Sequence, residues 1–192
     1  MKTDAREALL RAAQQLYAEN GVAATTPRQV IERSGVGQGS LYHHFPSKLD
    51  VARAAVARTV DEALASSAGS LSSGQDARTR LTAYLERPRD ATTGCRVGRL
   101  TADPFVAADE TLSGSVARYF AELITLMTDA LDEQGLDASD ARDRATAAVA
   151  LIQGGYVLSR ALGGDEPMLA AVRGFVALLE APHAGEEGNE CQ

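Results

Sequence analysis

Apolar residues in this chain recur every three or four positions, and no segment keeps the in-out alternation of a half-buried strand. Such a pattern builds helices packed on helices. Composition agrees: aromatic residues are 5%, Trp is absent and Ala recurs throughout, whereas a β-sandwich draws on Val, Ile, Thr and Tyr. With 192 residues, 45% hydrophobic and 23% charged, the chain buries a core without disulfide or metal staples and is too apolar to stay unfolded. The expected fold class is all-α.

Capping and turn residues divide the pattern into elements. Ala5, Ala8, Leu9, Ala12, Ala13 and Leu16 mark an amphipathic helix over 4–19, opened by an Asp4/Glu7 capping box and stopped at Asn20-Gly21. Thr26-Pro27-Arg28-Gln29 supplies the N-cap, first-turn proline and capping-box glutamine of a short second helix ending near Ser34-Gly35. After the turn Gly35-Val36-Gly37, a third short helix runs from Gln38 to His44 and closes at Phe45-Pro46. Ser47 and Asp50 open a long fourth helix whose apolar positions reach about Ala65, and the run from Ser66 to Gly74 is expected to be a loop. Further helices are expected at about 76–87, 97–108, 112–134, 139–162 and 165–180. The chain then divides into an N-terminal module, 1–58, a larger helical body, 59–185, and a flexible acidic tail, 186–192.

Cys95 and Cys191 lie far apart and outside ligand spacing of the three histidines, so a reduced cytoplasmic chain with no metal and no cofactor is expected. The N-terminus has no apolar leader segment, and the longest unbroken apolar run, Ala147 to Ile152, is too short for a bilayer, so no membrane partner is expected. Net charge is -7, but its distribution is uneven. Residues 1–58 hold 8 Lys+Arg and 5 Asp+Glu, the remainder 11 and 21, which leaves +3 at the front and -10 behind. Exposed charges farther apart than roughly 8–10 Å are largely screened, so the basic front can approach phosphate despite the acidic body.

The third helix carries the functional signal. Two short helices joined by a glycine turn and preceded by a packing helix make the minimal helix-turn-helix. At about 100° per residue, Leu41 and Phe45 point one way, while Gly39 and His43 point nearly opposite, flanked by Gln38, Tyr42 and Ser40. A helix facing only water favours Glu, Lys and Arg; Gln, Gly, Ser, Tyr and His instead suit a wall of bases and phosphates. Gly39 in mid-helix costs about 0.5–1 kcal/mol relative to Ala and lets the backbone approach a surface closely. His43-His44 taken alone reads as a surface pair, and Gly35-x-Gly37-x-Gly39 follows no strand, which argues against a dinucleotide cradle.

The run Thr25-Thr26-Pro27-Arg28-Gln29-Val30-Ile31, with Ser34-Gly35-Val36-Gly37-Gln38-Gly39-Ser40-Leu41-Tyr42-His43-His44-Phe45-Pro46-Ser47-Lys48, resembles the DNA-binding signature of TetR-family transcriptional repressors. Gly94-Cys95-Arg96-Val97-Gly98 is similar to the start of the regulatory domain in a drug- or flavonoid-sensing subgroup. The resemblance implies a three-helix helix-turn-helix domain followed by a helical ligand-binding and dimerisation domain. It implies a double-stranded, palindromic DNA operator and a ligand-responsive repressor released by a small hydrophobic effector. It also implies a homodimer through the last two helices, with Gly154-Gly155 allowing close helix approach. Position by position, the resemblance implies that Thr26 caps the second helix against a backbone phosphate, that Gln38, Ser40 and His43 face the major groove, and that Arg28 and Gly39 belong to the same DNA-binding set. Tyr42 touches phosphate or a thymine methyl, and Lys48 reaches phosphate from the start of the fourth helix. Members commonly carry Lys where this chain has Gln38, so one cation fewer is available to displace counterions.

In the second half, Phe105, Tyr119, Phe120, Leu123, Met127, Gln153 and Tyr156 are candidates to line an apolar effector pocket with a few polar anchors. A competing reading is a helical small-molecule-binding protein or enzyme that has lost DNA binding. A helix-turn-helix used for protein contact is a third. No Ser/His/Asp or Cys/His constellation is visible and only Cys95, beside Arg96, could be argued as reactive, so an enzyme is not expected.

Overall fold

A computed structural model describes residues 5–72 and 76–180. Nine α-helices lie among them: α1 Ala5–Asn20, α2 Pro27–Ser34, α3 Gln38–His44, α4 Lys48–Leu71, α5 Ala77–Glu86, α6 Pro104–Ala107, α7 Glu110–Asp132, α8 Ala138–Leu162 and α9 Glu166–Glu180. A 3-10 turn, Gly98–Ala102, precedes α6. No strand occurs among the described residues. Asp4 of the expected first capping box, Ser73-Gly74, Cys191 and the tail 186–192 lie outside the described residues.

The front three helices form around apolar residues that the sequence spacing had aligned. Leu9, Ala13, Leu16, Val30, Leu41 and Phe45 are all buried, and α1 packs on α2, α3 and α4. The turn after α1 depends on Gly21, whose φ of +83° is left-handed. A side chain there is excluded twice, because an added Cβ would sit 2.7 Å from the Asp103 carboxylate. At α2 the capping box forms as expected: Gln29 N–H donates to Thr26 Oγ1 at 3.3 Å and Thr26 N–H to Gln29 Oε1 at 2.8 Å.

Two expectations need correction. The Ser66–Gly74 run is not a loop where it is described, because α4 continues to Leu71. Ser66, Ser67 and Ser70 are helical, with Ser67 Oγ donating to the Ala63 carbonyl at 2.9 Å and Ser70 Oγ to that of Ser66 at 3.1 Å. Leu71, Ser67 and Leu64 are buried, so tertiary packing outweighs the weak intrinsic preference of Ser and Gly. One continuous helix therefore crosses the expected boundary at residue 58. The helix expected at 97–108 is likewise divided. Asp103 is extended (φ -79°, ψ 120°), since the ring of Pro104 disfavours a helical residue before it, and the carboxylate caps α6.

Behind the front module α4 packs on α7, α7 on α8 and α8 on α9. Arg53 binds the Asp109 carboxylate at 2.6 Å and Arg118 binds Asp61 at 2.5 Å, both linking α4 to α7. Gly155 permits the α8–α9 approach within one chain, since an added Cβ would lie 2.6 Å from Met168 Sδ; Gly154 faces open space. By length and composition alone α8 could cross a bilayer, yet it is packed against α7 and α9, with Ala141, Ala145, Ala148 and Ile152 buried.

The α1–α4 contact gives an acid-dependent prediction. Glu7 accepts from Arg58 Nη1 at 2.5 Å and Nη2 at 2.9 Å and from Arg11 Nε at 2.6 Å, and these guanidinium groups pull its carboxyl down from 4.5 to about 2. A folded pKa below the unfolded one stabilises the protein fully above pH 4.5, and that contribution fades as pH falls towards 2. In urea melts the parent should exceed Glu7→Gln in stability at neutral pH, with the gap closing across that window. A gap independent of pH would contradict the assignment.

Candidate functional site

The reading-helix candidate is set by a stop, a turn and an anchor. Gly35 N–H donates to the Ile31 carbonyl at 3.0 Å and closes α2, and the chain enters α3 through Gly37. Leu41, fully buried, and Phe45 fix α3 to the core. The opposite edge is outward: Gln38, Gly39, Tyr42 and His43 are exposed and Ser40 is half-buried. Tyr42 is 47% exposed, too open for a residue that merely packs on α1. The side chains of Gln38, Ser40, Tyr42 and His43 make no hydrogen bond among the described residues, so their donors and acceptors remain available. His43 and His44 stack edge to face at 5.1 Å.

The cations of this module are largely neutralised. Arg28 is bonded to Glu32 at 2.7 Å and Arg33 to Glu19 at 2.8 Å. Exposed ion pairs contribute only about 0–1 kcal/mol, so exchanging such a carboxylate for a phosphate costs little, most readily at Arg28, whose side chain is 87% exposed. Lys48 is half-buried. Its Nζ donates to the Ala23 carbonyl at 3.0 Å and lies 4.6 Å from the centroid of the Phe105 ring. Burial pushes its pKa below the usual lysine range, with the Asp103 charge opposing.

A cavity of about 710 Å³ opens in the helical body. Its walls are Gly94 and Cys95, the 3-10 turn through Gly98, Arg99, Thr101 and Ala102, Phe120 of α7, and Gln153, Tyr156, Val157, Arg160 and Ala161 of α8. Three of the seven effector candidates, Phe120, Gln153 and Tyr156, meet there. The other four do not. Leu123, Met127 and Tyr119 are packed in the core, and Phe105 lies under Lys48. Helical periodicity aligned α7's inner face correctly but could not separate core positions from cavity positions on that face. Burial raises the phenol pKa of both Tyr119 and Tyr156, so each stays protonated.

Spacing alone did not reveal the two residues, one in the cavity wall and one just beyond it, that tie the 97–106 segment to the front module. Arg99, in the cavity wall, donates through Nη1 to the Ala18 carbonyl and through Nη2 to that of Glu19 at 3.3 Å, holding the C-terminal end of α1. Asp103, only 8% exposed, accepts from Val22 N–H at 2.7 Å and Ala23 N–H at 3.1 Å in the α1–α2 turn. Its other oxygen accepts from Phe105 N–H at 2.9 Å and Val106 N–H at 3.3 Å. The Asp-Pro pair at 103–104, which the expected 97–108 helix ran through, is a local cap signal, but the second set of donors to Asp103 comes from about eighty positions upstream.

Comparison with known proteins bears on both halves. Residues 9–55 match the family model described as bacterial regulatory proteins, tetR family. Residues 75–173 match the model of the LmrA/YxaF-like transcriptional regulator C-terminal domain. The chain is 28% identical over 173 residues to the HTH-type transcriptional regulator LmrA of Bacillus subtilis (strain 168), covering 86% of this chain and 92% of that protein. It is 34% identical over 90 residues to the HTH-type transcriptional repressor KstR2 of Rhodococcus jostii (strain RHA1), covering 47% and 44%. The fold is shared with a TetR transcriptional regulator from Legionella pneumophila, at a TM-score of 0.80, 22% identity and coverage of 93% and 99%.

Proposed function

The chain belongs to the TetR family of transcriptional regulators, and from that premise we propose that it is a cytoplasmic, homodimeric repressor released from a palindromic operator by a small hydrophobic effector held in the 710 Å³ cavity. The observation that carries this reading is Arg99, which lines the cavity while its guanidinium grips the end of α1. Occupancy of the cavity and the seating of the reading head then share one side chain. A ligand acts only through its differential affinity for two conformers, and here the two differ in whether the 3-10 turn holds the α1 end and the α1–α2 turn.

In this reading α3 enters the major groove. Gln38, Ser40 and His43 meet base edges, Gly39 lets the helix backbone approach, and Tyr42, Thr26 and Arg28 contact the backbone. Lys48, with one N–H engaged on Ala23, offers its others to phosphate. The dimer forms through α8 and α9, where Val157, Leu158, Leu162, Leu169 and Leu178 are between 49% and 73% exposed. A single chain leaves this apolar surface to water, and a two-fold partner would cover it.

Selection from a random duplex pool tests the proposal. The expected product is a palindrome. His43→Ala should lose preference at one base position in each half-site, with affinity falling about tenfold, whereas Arg28→Ala should weaken all sequences alike and flatten the salt dependence. Enrichment of no sequence, or of one lacking two-fold symmetry, would refute the operator model.

A further inference from the structure

The proposed effector cavity carries charge of one sign. Two guanidinium groups, Arg99 and Arg160, stand in its wall, and among the described residues no carboxylate does. Resting on the reading of this cavity as the effector site, we propose that its ligand is an apolar, ring-containing molecule bearing one acidic group. The rings lie against Phe120, Tyr156 and Val157, and the acid is bound by Arg160 and Arg99.

Arginine keeps its charge in any protein environment, and with Arg160 exposed and Arg99 half-buried at this apolar space, a guanidinium fork is open to an incoming acid. Among the described residues neither of these has a carboxylate partner. Arg160 bonds only backbone carbonyls, those of Thr92 at 3.4 Å and Thr93 at 2.7 Å, and its Nη1 has no partner among the described residues. Among the described residues Arg99 bonds only the carbonyls of Ala18 and Glu19. The nearby acids are committed elsewhere. Glu19 holds Arg33 through both oxygens, at 2.9 and 2.8 Å, and Asp103 is occupied by four backbone N–H groups.

The two side chains also meet at one place, Arg160 by its guanidinium and Arg99 by the stem that carries its guanidinium to α1. A methyl group placed on Gly94 would lie 3.3 Å from Arg160 Nη2 and 3.6 Å from Arg99 Cδ, so both side chains flank one corner of the cavity. A planar fork with open N–H groups is matched by a carboxylate, sulfonate or phenolate oxygen. A cationic ligand would be repelled from the same corner. An acid drawn to Arg99 competes directly with the α1 carbonyls for its N–H groups, which is how such a ligand would loosen the reading head.

Two fluorescent dyes with the same ring system separate charge from shape: anilinonaphthalene sulfonate, an anion, and the neutral N-phenyl-naphthylamine. Titrated into the full-length protein, the sulfonate is expected to bind at least about tenfold tighter than the neutral dye and to displace it competitively. Arg160→Gln should remove most of that preference, and Arg160→Lys, which keeps the charge, should retain much of it. Equal affinity of the two dyes in the parent, or an unchanged sulfonate affinity in Arg160→Gln, would overturn the acidic-ligand inference and leave the effector cavity standing. Equal losses in Arg160→Lys and Arg160→Gln would trace the effect to the Thr93 contact and overturn it as well. Failure of both dyes to bind would remove the cavity reading itself, and this inference with it.

Discussion

Glutamate in place of Gly39 should abolish operator binding while leaving the fold intact. An added Cβ at this position meets nothing within 4 Å in the free protein, and replacing a mid-helix glycine gains helix propensity of up to about 0.5–1 kcal/mol. The melting temperature should therefore stay level or rise slightly. Against a duplex the same side chain is both too large and of the wrong sign, since it stands on the edge that carries Gln38 and His43 and would face bases and phosphates. We expect a loss of at least about 100-fold, or roughly 3 kcal/mol, in operator affinity. Fluorescence anisotropy with the selected operator, run beside a thermal melt, measures both quantities on one preparation. If Gly39→Glu binds the operator as well as the parent does, α3 is not the element that enters the groove.

The second large effect is expected at Asp103. Its carboxylate accepts four backbone N–H groups, two from the α1–α2 turn and two from the first turn of α6. Asp103→Ala removes the α6 cap, worth about 1 kcal/mol, and leaves the buried Val22 N–H without an acceptor, a penalty of about 1–3 kcal/mol. The sum of roughly 3 kcal/mol corresponds to a fall of roughly 10 °C in melting temperature for a chain of this size. The loss should also be local. Amide exchange should accelerate at Val22 and Ala23, and more modestly at Phe105 and Val106, before it changes in the α7–α8 core. Asp103→Asn keeps one acceptor oxygen and should fall between the two. A melting temperature for Asp103→Ala equal to the parent's, with unaltered exchange at Val22, would show that the carboxylate does not join the two halves.

Much of this molecule is written in short-range chemistry. The Thr26-Pro27-x-Gln29 cap, the Gly35 stop, the Leu41/Phe45 anchor and the outward edge of α3 all follow from spacings within one or two turns, and the folded chain keeps them. The errors fell where distant packing outvotes local preference. Ser66 to Leu71 form helix because Ser67 and Leu71 are buried, and the helix expected over 97–108 is interrupted because Asp103 is needed in an extended conformation ahead of Pro104. Arg160 left a faint trace, as a cation on an apolar helix with no acidic residue three or four positions away.

Helical period, caps and turn glycines depend on neighbours along the chain, and they suffice to specify an all-helical protein with a polar outward edge on a short helix near its front. Which greasy residues on α7 are core and which border the cavity depends instead on what the other helices leave unfilled. So does the pairing of Arg99 with Ala18, or of Asp103 with Val22. A hydrogen bond across some eighty residues has no periodicity to betray it, and only closure of the tertiary fold brings its two ends within reach.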